Sequence, residues 1–256
     1  MTHGETLGDG NVFENTRGEF VDASLRLVTD PARGQTWAGY IRKGIPDALF
    51  TRFGLINAPG AAEWANLVEH SGYVAATAVT IADQMIAAGV PVDRSAVERA
   101  AWAHDAAKRR DVAEAISREA ETTDDVLEVE MTAHGYSDAE IKAARNTGRL
   151  PDRFIEDQDE RRAAITHRSL EENIVGYADA RMRGAELMTL DQARDDSVAA
   201  KPKSEDFFNN HWYPYYTDVE AHLGDVMAQA GAASFDPSSI NAESVYATVQ
   251  ATVAES

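Results

Sequence analysis

Helix-capping motifs recur along this chain and constrain its fold more than any other sequence feature. In a capping box, a Ser or Thr side chain bonds the backbone three residues ahead and a Glu side chain bonds back, which fixes the start of a helix. Four candidates precede apolar segments: Ser95 with Glu98, Ser137 with Glu140, Ser169 with Glu172, and Thr217 with Glu220. Because alternating strand patterns are scarce, the sequence predicts an all-α protein.

The longest helical pattern runs from about residue 61 to residue 88, and Gly89 and Pro91 then mark a helix C-terminus. We expect a helical core over residues 61–192, with an N-terminal helical extension over 1–60 and a C-terminal one over 205–256. No window approaches the roughly 18 apolar residues of a membrane span. The first residues do not resemble a signal peptide, so we expect a cytoplasmic protein without a membrane partner.

The charge balance limits the choice of partners. The chain has 43 acidic and 24 basic residues, a net charge of -19. Nucleic-acid polymers and anionic lipids carry the same sign, so their binding is disfavoured over most of the surface. A small anionic substrate in a local basic pocket stays compatible with this charge. Because the chain has no cysteine, only imidazole and carboxylate groups are expected to bind a metal ion.

Four side chains of these two types stand in apolar helical patterns: His70, His104, Asp105 and Asp179. A buried aspartate is costly unless it is paired, hydrogen-bonded or bound to a cation. Mixed imidazole and carboxylate ligands suit Mn, Fe, Co, Ni or Zn. Helix neighbours point about 100° apart, so His104 and Asp105 can share an ion only if it lies beside their helix. The sequence therefore predicts a divalent transition-metal site, with His70 and Asp179 completing the shell.

Purely structural roles are the alternatives for these residues. Asp105 could pair with Lys108, and Asp179 with Arg183, because residues three or four apart share a helix face. The aromatic residues between positions 207 and 216 could stack a nucleic-acid base, but they lack interleaved basic residues and favour helix packing.

At the four candidate ligands the chain resembles the HD-domain metal-dependent phosphohydrolases. The matching strings are Glu69-His70-Ser71 with Val74-Ala75, then Ala103-His104-Asp105-Ala106-Ala107-Lys108, then Ile174-Val175-Gly176-Tyr177-Ala178-Asp179. The resemblance covers roughly residues 62–190. It implies an HD-domain-like helical bundle that binds its metal through His70, His104, Asp105 and Asp179.

The resemblance also implies hydrolysis of a small phosphate ester or nucleotide by a metal-activated water. Asp105 and Lys108 would be catalytic, and Lys108 would also lie near the bound phosphate, one helical turn beyond His104. Independently, His167 and Arg168 precede a predicted helix and could meet an anionic substrate at its N-terminus. A structural role for these two residues is equally open.

The number of ions is left open by the sequence. Some members of the superfamily look different, because two further histidines between the His-Asp pair and the last aspartate bind a second metal. Asn146 stands where one of them is expected, which favours one ion per chain, while His134 and His167 stay candidates for a second. Two irons held this way would indicate an oxygen-using di-iron enzyme. A non-catalytic nucleotide-binding sensor is a third hypothesis, and the substrate and oligomeric state are not determined.

Overall fold

The computed structural model describes residues 6–7, 12–14, 20–21, 65–105, 123–133, 135–147, 150, 155–183, 186–233, 235–241 and 245. This part of the chain is mostly helical, which confirms the all-α prediction as a fold class. Its helices are α1 (Ala65–Ala87), α2 (Arg94–Ala103), α3 (Thr123–Ala133), α4 (Asp138–Arg145), α5 (Gln158–His167), α6 (Leu170–Ala180), α7 (Leu190–Ala200), α8 (Glu205–Phe207) and α9 (Tyr213–Gln229).

Short strands and turns complete the described elements. Strands β1 (Thr6–Leu7), β2 (Val12–Glu14) and β3 (Phe20–Val21) form an antiparallel sheet in the order β1-β2-β3. The described residues of the N-terminal extension are thus strands, and the helical prediction is wrong for them. Strands β4 (Met182–Arg183) and β5 (Glu186–Leu187) form a hairpin. Two 3₁₀ turns span Pro202–Ser204 and Pro237–Ser239.

Helix α1 lies at the centre of the helical part. Nine consecutive residues, 71–79, are buried, so this stretch of helix is covered around its whole circumference. It packs against α2 and α6. Gly89 ends it with a φ of 84°, and the amide of Val90 donates to the carbonyl oxygen of Met85 at 2.9 Å, which is the expected stop signal.

Two of the four predicted capping boxes are confirmed, those of Ser137 with Glu140 on α4 and Ser169 with Glu172 on α6. The prediction at Ser95 is wrong. Helix α2 begins one residue earlier, and the Asp93 carboxylate accepts the amide of Ala96 at 3.0 Å. Aspartate is as good an N-cap as serine, so the earlier residue takes the role.

The predicted cap at Thr217 is also wrong, because Thr217 lies inside α9 and its hydroxyl donates to the carbonyl of Tyr213. A π-helical turn, Phe208–Trp212, precedes α9, and the amide of Tyr213 donates five residues back to Phe208. Pro214 explains the wide turn. It has no N–H, and its ring would clash with the carbonyl four residues before it in an ordinary α-helix.

The segment after Asp179 differs from what its sequence pattern predicts. The apolar positions between Ile174 and Leu187 predict one helix through Leu187, but α6 ends at Ala180 and the β4–β5 hairpin follows. Asp179 therefore lies in the last turn of α6. The polar residues at about 195–204 predict a linker, but a further helix, α7, begins behind a capping box of Thr189 and Gln192 and extends to Ala200.

The described part of the C-terminal extension packs into the same core. Helix α9 contacts α5 and α6, and the Phe235 ring lies 5.9 Å from that of Tyr177. Trp212, Tyr215 and Tyr216 are buried, which confirms helix packing for the aromatic residues. The sequence also predicts a helix over about 242–253, and these residues lie outside the described part of the chain except for Val245. None of the described helices has the length and apolar character needed to cross a membrane.

Candidate metal centre

Three helices bring the predicted ligands to one point. His70 lies in the N-terminal half of α1, His104 and Asp105 directly follow α2, and Asp179 lies in the last turn of α6. Because α1 packs against both other helices, residues far apart in the chain meet beside it. One ion could reach both His104 and Asp105 only from beside their own helix, and that point is also near His70 and Asp179.

The ligand atoms of His70, His104 and Asp179 all lie within 4.8 Å of one another. Asp179 Oδ1 is 3.0 Å from His70 Nε2 and 3.5 Å from His104 Nε2. Two ligands that each bind an ion at about 2.1 Å are at most about 4.2 Å apart. These spacings are therefore compatible with one shared ion, and the three residues form a group that could hold a metal.

Asp105 lies at the edge of this group. Its Oδ2 is 3.8 Å from Nε2 of both His70 and His104. Both distances are below the limit of about 4.2 Å for ligands of one ion. The structure thus brings three of the four predicted ligands into one group and places Asp105 beside the two imidazoles.

A main-chain contact orients the His104 ring. Its Nδ1 lies 2.7 Å from the carbonyl oxygen of Ala101, to which it donates. The Nε2 atom, which faces the cluster, is buried and makes no well-aligned hydrogen bond in the described part of the chain, although Asp179 Oδ1 lies 3.5 Å away. Buried ring nitrogens are normally satisfied, and a bound cation would supply the missing partner. Sequence analysis did not identify this contact, because any residue type at position 101 provides the same carbonyl.

The charges of the cluster are strongly coupled. Burial acts to lower the pKa of His104, but the nearby carboxylates of Asp105 and Asp179 outweigh it and raise that pKa to about 9. Burial acts to raise the pKa of Asp179, and its interactions with His104 and His70 outweigh this and hold the pKa far below its usual range. The carboxylates thus stabilise positive charge at this point, and a divalent cation would benefit from the same attraction.

Parts of the cluster are exposed to solvent. The His104 side chain is only 3% exposed, whereas those of Asp105 and Asp179 are 16% and 22% exposed. An ion bound here would therefore be accessible to water and to a small ligand.

The predicted substrate-binding residues lie elsewhere or outside the described residues. His167 ends α5, and the Arg168 guanidinium lies 5.5 Å from the centre of the Tyr215 ring. Both precede α6, whereas Asp179 is nine residues beyond Leu170, about 14 Å along that helix. The structure does not bring His167 and Arg168 to the cluster. Lys108 and His134 fall outside the described residues.

Asn146 also lies away from the cluster. It ends α4, and its side-chain amide donates to Glu172, seven residues before Asp179 and about 10 Å along α6. Its identity therefore carries no information about a second metal ion, and one ion per chain stays a prediction. The alternative partner of Asp179, Arg183, instead pairs with Asp196 on α7 at 3.3 Å.

No family model, curated protein or solved structure matched the chain. The resemblance to the HD-domain phosphohydrolases therefore stays a prediction based on three short strings. What the structure adds is the convergence of His70, His104 and Asp179 from those strings on one group that could hold a metal ion, with Asp105 beside it.

Proposed function

We propose that the chain is a metal-dependent phosphohydrolase that acts on a small phosphate ester or nucleotide. The observation that supports this is the convergence of His70, His104, Asp105 and Asp179, two imidazoles and two carboxylates, at one partly open point. A divalent ion held by these residues would supply an activated water there and polarise a phosphoryl oxygen. No nucleophilic side chain is needed for this chemistry.

The donor set defines the class of metal. Mixed nitrogen and oxygen ligands favour Mn, Fe, Co, Ni or Zn over Mg or Ca. The two carboxylates would balance the charge of one divalent ion, and the four protein ligands would leave room for water and substrate. We propose one such ion per chain, in an HD-domain-like bundle.

The protein residues have separate roles in this proposal. His70 and His104 present Nε2 to the ion, and the Ala101 carbonyl keeps the second ring in place. Asp105, next to both rings, is the proposed catalytic carboxylate. Lys108 follows it in the chain and is proposed to stabilise charge that develops on the phosphate. The chain's net charge of -19 favours small substrates over nucleic-acid polymers.

Metal analysis and a hydrolysis screen of one variant pair test the proposal. Purified wild type is expected to contain a transition metal and to hydrolyse members of a nucleotide and phosphate-ester panel. Asp105→Ala should lose both properties while staying folded. The matched control is Asp159→Ala, which removes an exposed carboxylate from the first turn of α5 and should keep both.

Three outcomes would contradict parts of the proposal. If Asp105→Ala keeps its metal and its activity, the site assignment is wrong. Bound metal without hydrolysis across the panel would indicate a non-catalytic sensor. Two irons per chain, with consumption of oxygen, would indicate a di-iron oxygenase.

A further inference from the structure

The turn after α6 contains a buried arginine two residues beyond Asp179. Arg181 is 5% exposed. Its Nε donates to the carbonyl oxygen of Met188 at 2.8 Å, and its Nη1 donates to that of Pro237 at 3.0 Å. A buried guanidinium is costly unless its donors are satisfied, so these bonds explain how it is tolerated.

These bonds join segments that are distant in the chain. Met188 follows the β4–β5 hairpin, and Pro237 begins the 3₁₀ turn near the C-terminus. The main chain of Arg181 adds further bonds: its amide donates to the carbonyls of Tyr177 and Ala178, and its own carbonyl accepts the amide of Met188 at 2.8 Å. Arg181 thus holds the last turn of α6 against two other segments.

The next residue connects the same turn to α1. The Thr77 hydroxyl lies 3.6 Å from the sulfur of Met182, and both residues are buried. Thr77 is seven residues, or two turns, beyond His70 and so lies on the same face of α1. The turn after α6 is therefore packed on the helix that carries His70, and its placement bears on the separation between His70 and Asp179.

We propose that Arg181 is a positioning residue for the metal site. Its side-chain hydrogen bonds go to the carbonyls of Met188 and Pro237, and through them it fixes the C-terminal turn of α6 so that the Asp179 carboxylate stays in place relative to the two imidazoles. The inference rests on the metal site of the proposed function and is independent of whether that site hydrolyses phosphate esters.

Arg183 provides a control, because it lies two residues beyond Arg181, in β4, but faces a different helix. Its Nη2 donates to the carbonyl oxygen of Ala193 at 3.0 Å, and it pairs with Asp196, both on α7. Loss of Arg183 therefore removes a comparable set of polar contacts from the hairpin without freeing the turn that follows Asp179.

The test measures cobalt(II) affinity in the full chain by competition with a chromophoric chelator, together with the melting temperature of the metal-free protein. Arg181→Met is expected to weaken cobalt binding at least about tenfold, as loss of supporting contacts around ligands commonly does. Arg181→Lys keeps the charge but cannot donate to both carbonyls in the same way. Its cobalt affinity should lie between those of Arg181→Met and wild type. Arg183→Met should lower the melting temperature and leave the affinity at the wild-type value.

An unchanged affinity in folded Arg181→Met would overturn the proposal, as would an equal loss in Arg183→Met. If Arg181→Met does not fold, the result for Arg181→Lys decides. If that variant binds cobalt with wild-type affinity, or also fails to fold, Arg181 contributes to folding alone and the proposal is overturned. Wild type that binds cobalt but hydrolyses nothing contradicts the proposed function and leaves the comparison of affinities valid. Wild type without cobalt binding contradicts the metal site itself.

Discussion

His70 Nε2 lies 3.0 Å from Asp179 Oδ1, although 109 positions separate the two residues in the chain. This contact forms only when α1 and α6 are packed together, so the complete group of ligands is absent from the unfolded chain. A ligand that binds the folded state alone stabilises it by mass action. A metal ion that binds this cluster would therefore stabilise the folded state.

The first prediction concerns the melting temperature with and without metal. A transition metal at 100 times its dissociation constant should stabilise the fold by about 2.7 kcal/mol, and a chelator should reverse the effect. Differential scanning calorimetry measures both. Asp179→Asn removes the carboxylate that the two imidazoles share and should abolish the metal-dependent shift. An equal shift in this variant would mean that the ion binds elsewhere.

The second prediction concerns the start of α2. Asp93→Ala should cost about 1 kcal/mol of unfolding free energy, because the side chain that accepts the Ala96 amide is lost. Ser95→Ala, two residues away and inside the helix, should change stability by less than about 0.5 kcal/mol. Urea denaturation measures the unfolding free energy of both variants. A larger loss for Ser95→Ala than for Asp93→Ala would mean that Ser95 caps the helix.

The third prediction concerns the face that α3 presents to the core. Leu127 is 4% exposed and Val129 is 65% exposed. Leu127→Ala should cost about 2–5 kcal/mol, the range for large-to-small changes in a core. Val129→Ala should stay within about 0.5 kcal/mol of wild type. Denaturant titration measures both, and similar losses would mean that α3 is rotated relative to the structure.

The fourth prediction concerns a buried carboxylate between α5 and α9. Asp218 is 5% exposed and accepts hydrogen bonds from Arg161 Nε at 2.9 Å and Gln158 Nε2 at 3.2 Å. Asp218→Ala leaves Arg161 largely buried without its partner and should cost about 3 kcal/mol.

The control for Asp218 is Asp225→Ala, which removes an exposed carboxylate from the same helix and should cost less than about 0.5 kcal/mol. A loss at Asp218 no larger than that at Asp225 would mean that its ion pairs do not contribute to the packing of α5 on α9.

Elements whose ends depend on local chemistry were predicted well. Ser137 and Ser169 cap the helices expected of them, and Gly89 ends α1, because each acts within a few residues of its own position. The same rules failed where two local signals compete. Asp93 and Ser95 both suit a cap, and at Pro214 the helix continues through a π turn rather than beginning afresh at Thr217.

The candidate site was likewise predicted only in part. Residue type and apolar context selected His70, His104, Asp105 and Asp179, and the structure brings them together. Proximity in sequence misled at the other end of α6, because His167 and Arg168 are near its start while Asp179 is near its end. The role of Arg181 depends on carbonyl groups of Met188 and Pro237, and no residue pattern encodes such distant main-chain acceptors.

The bond from His104 to the Ala101 carbonyl has a consequence for mutational tolerance. Its acceptor belongs to the backbone of α2, so no side-chain replacement at position 101 deletes the bond while that helix persists. The helix backbone therefore holds the Nδ1 proton, which leaves Nε2 as the nitrogen that faces the cluster. Substitutions around His104 can alter the packing of its ring, but Nε2 remains the nitrogen that faces the cluster.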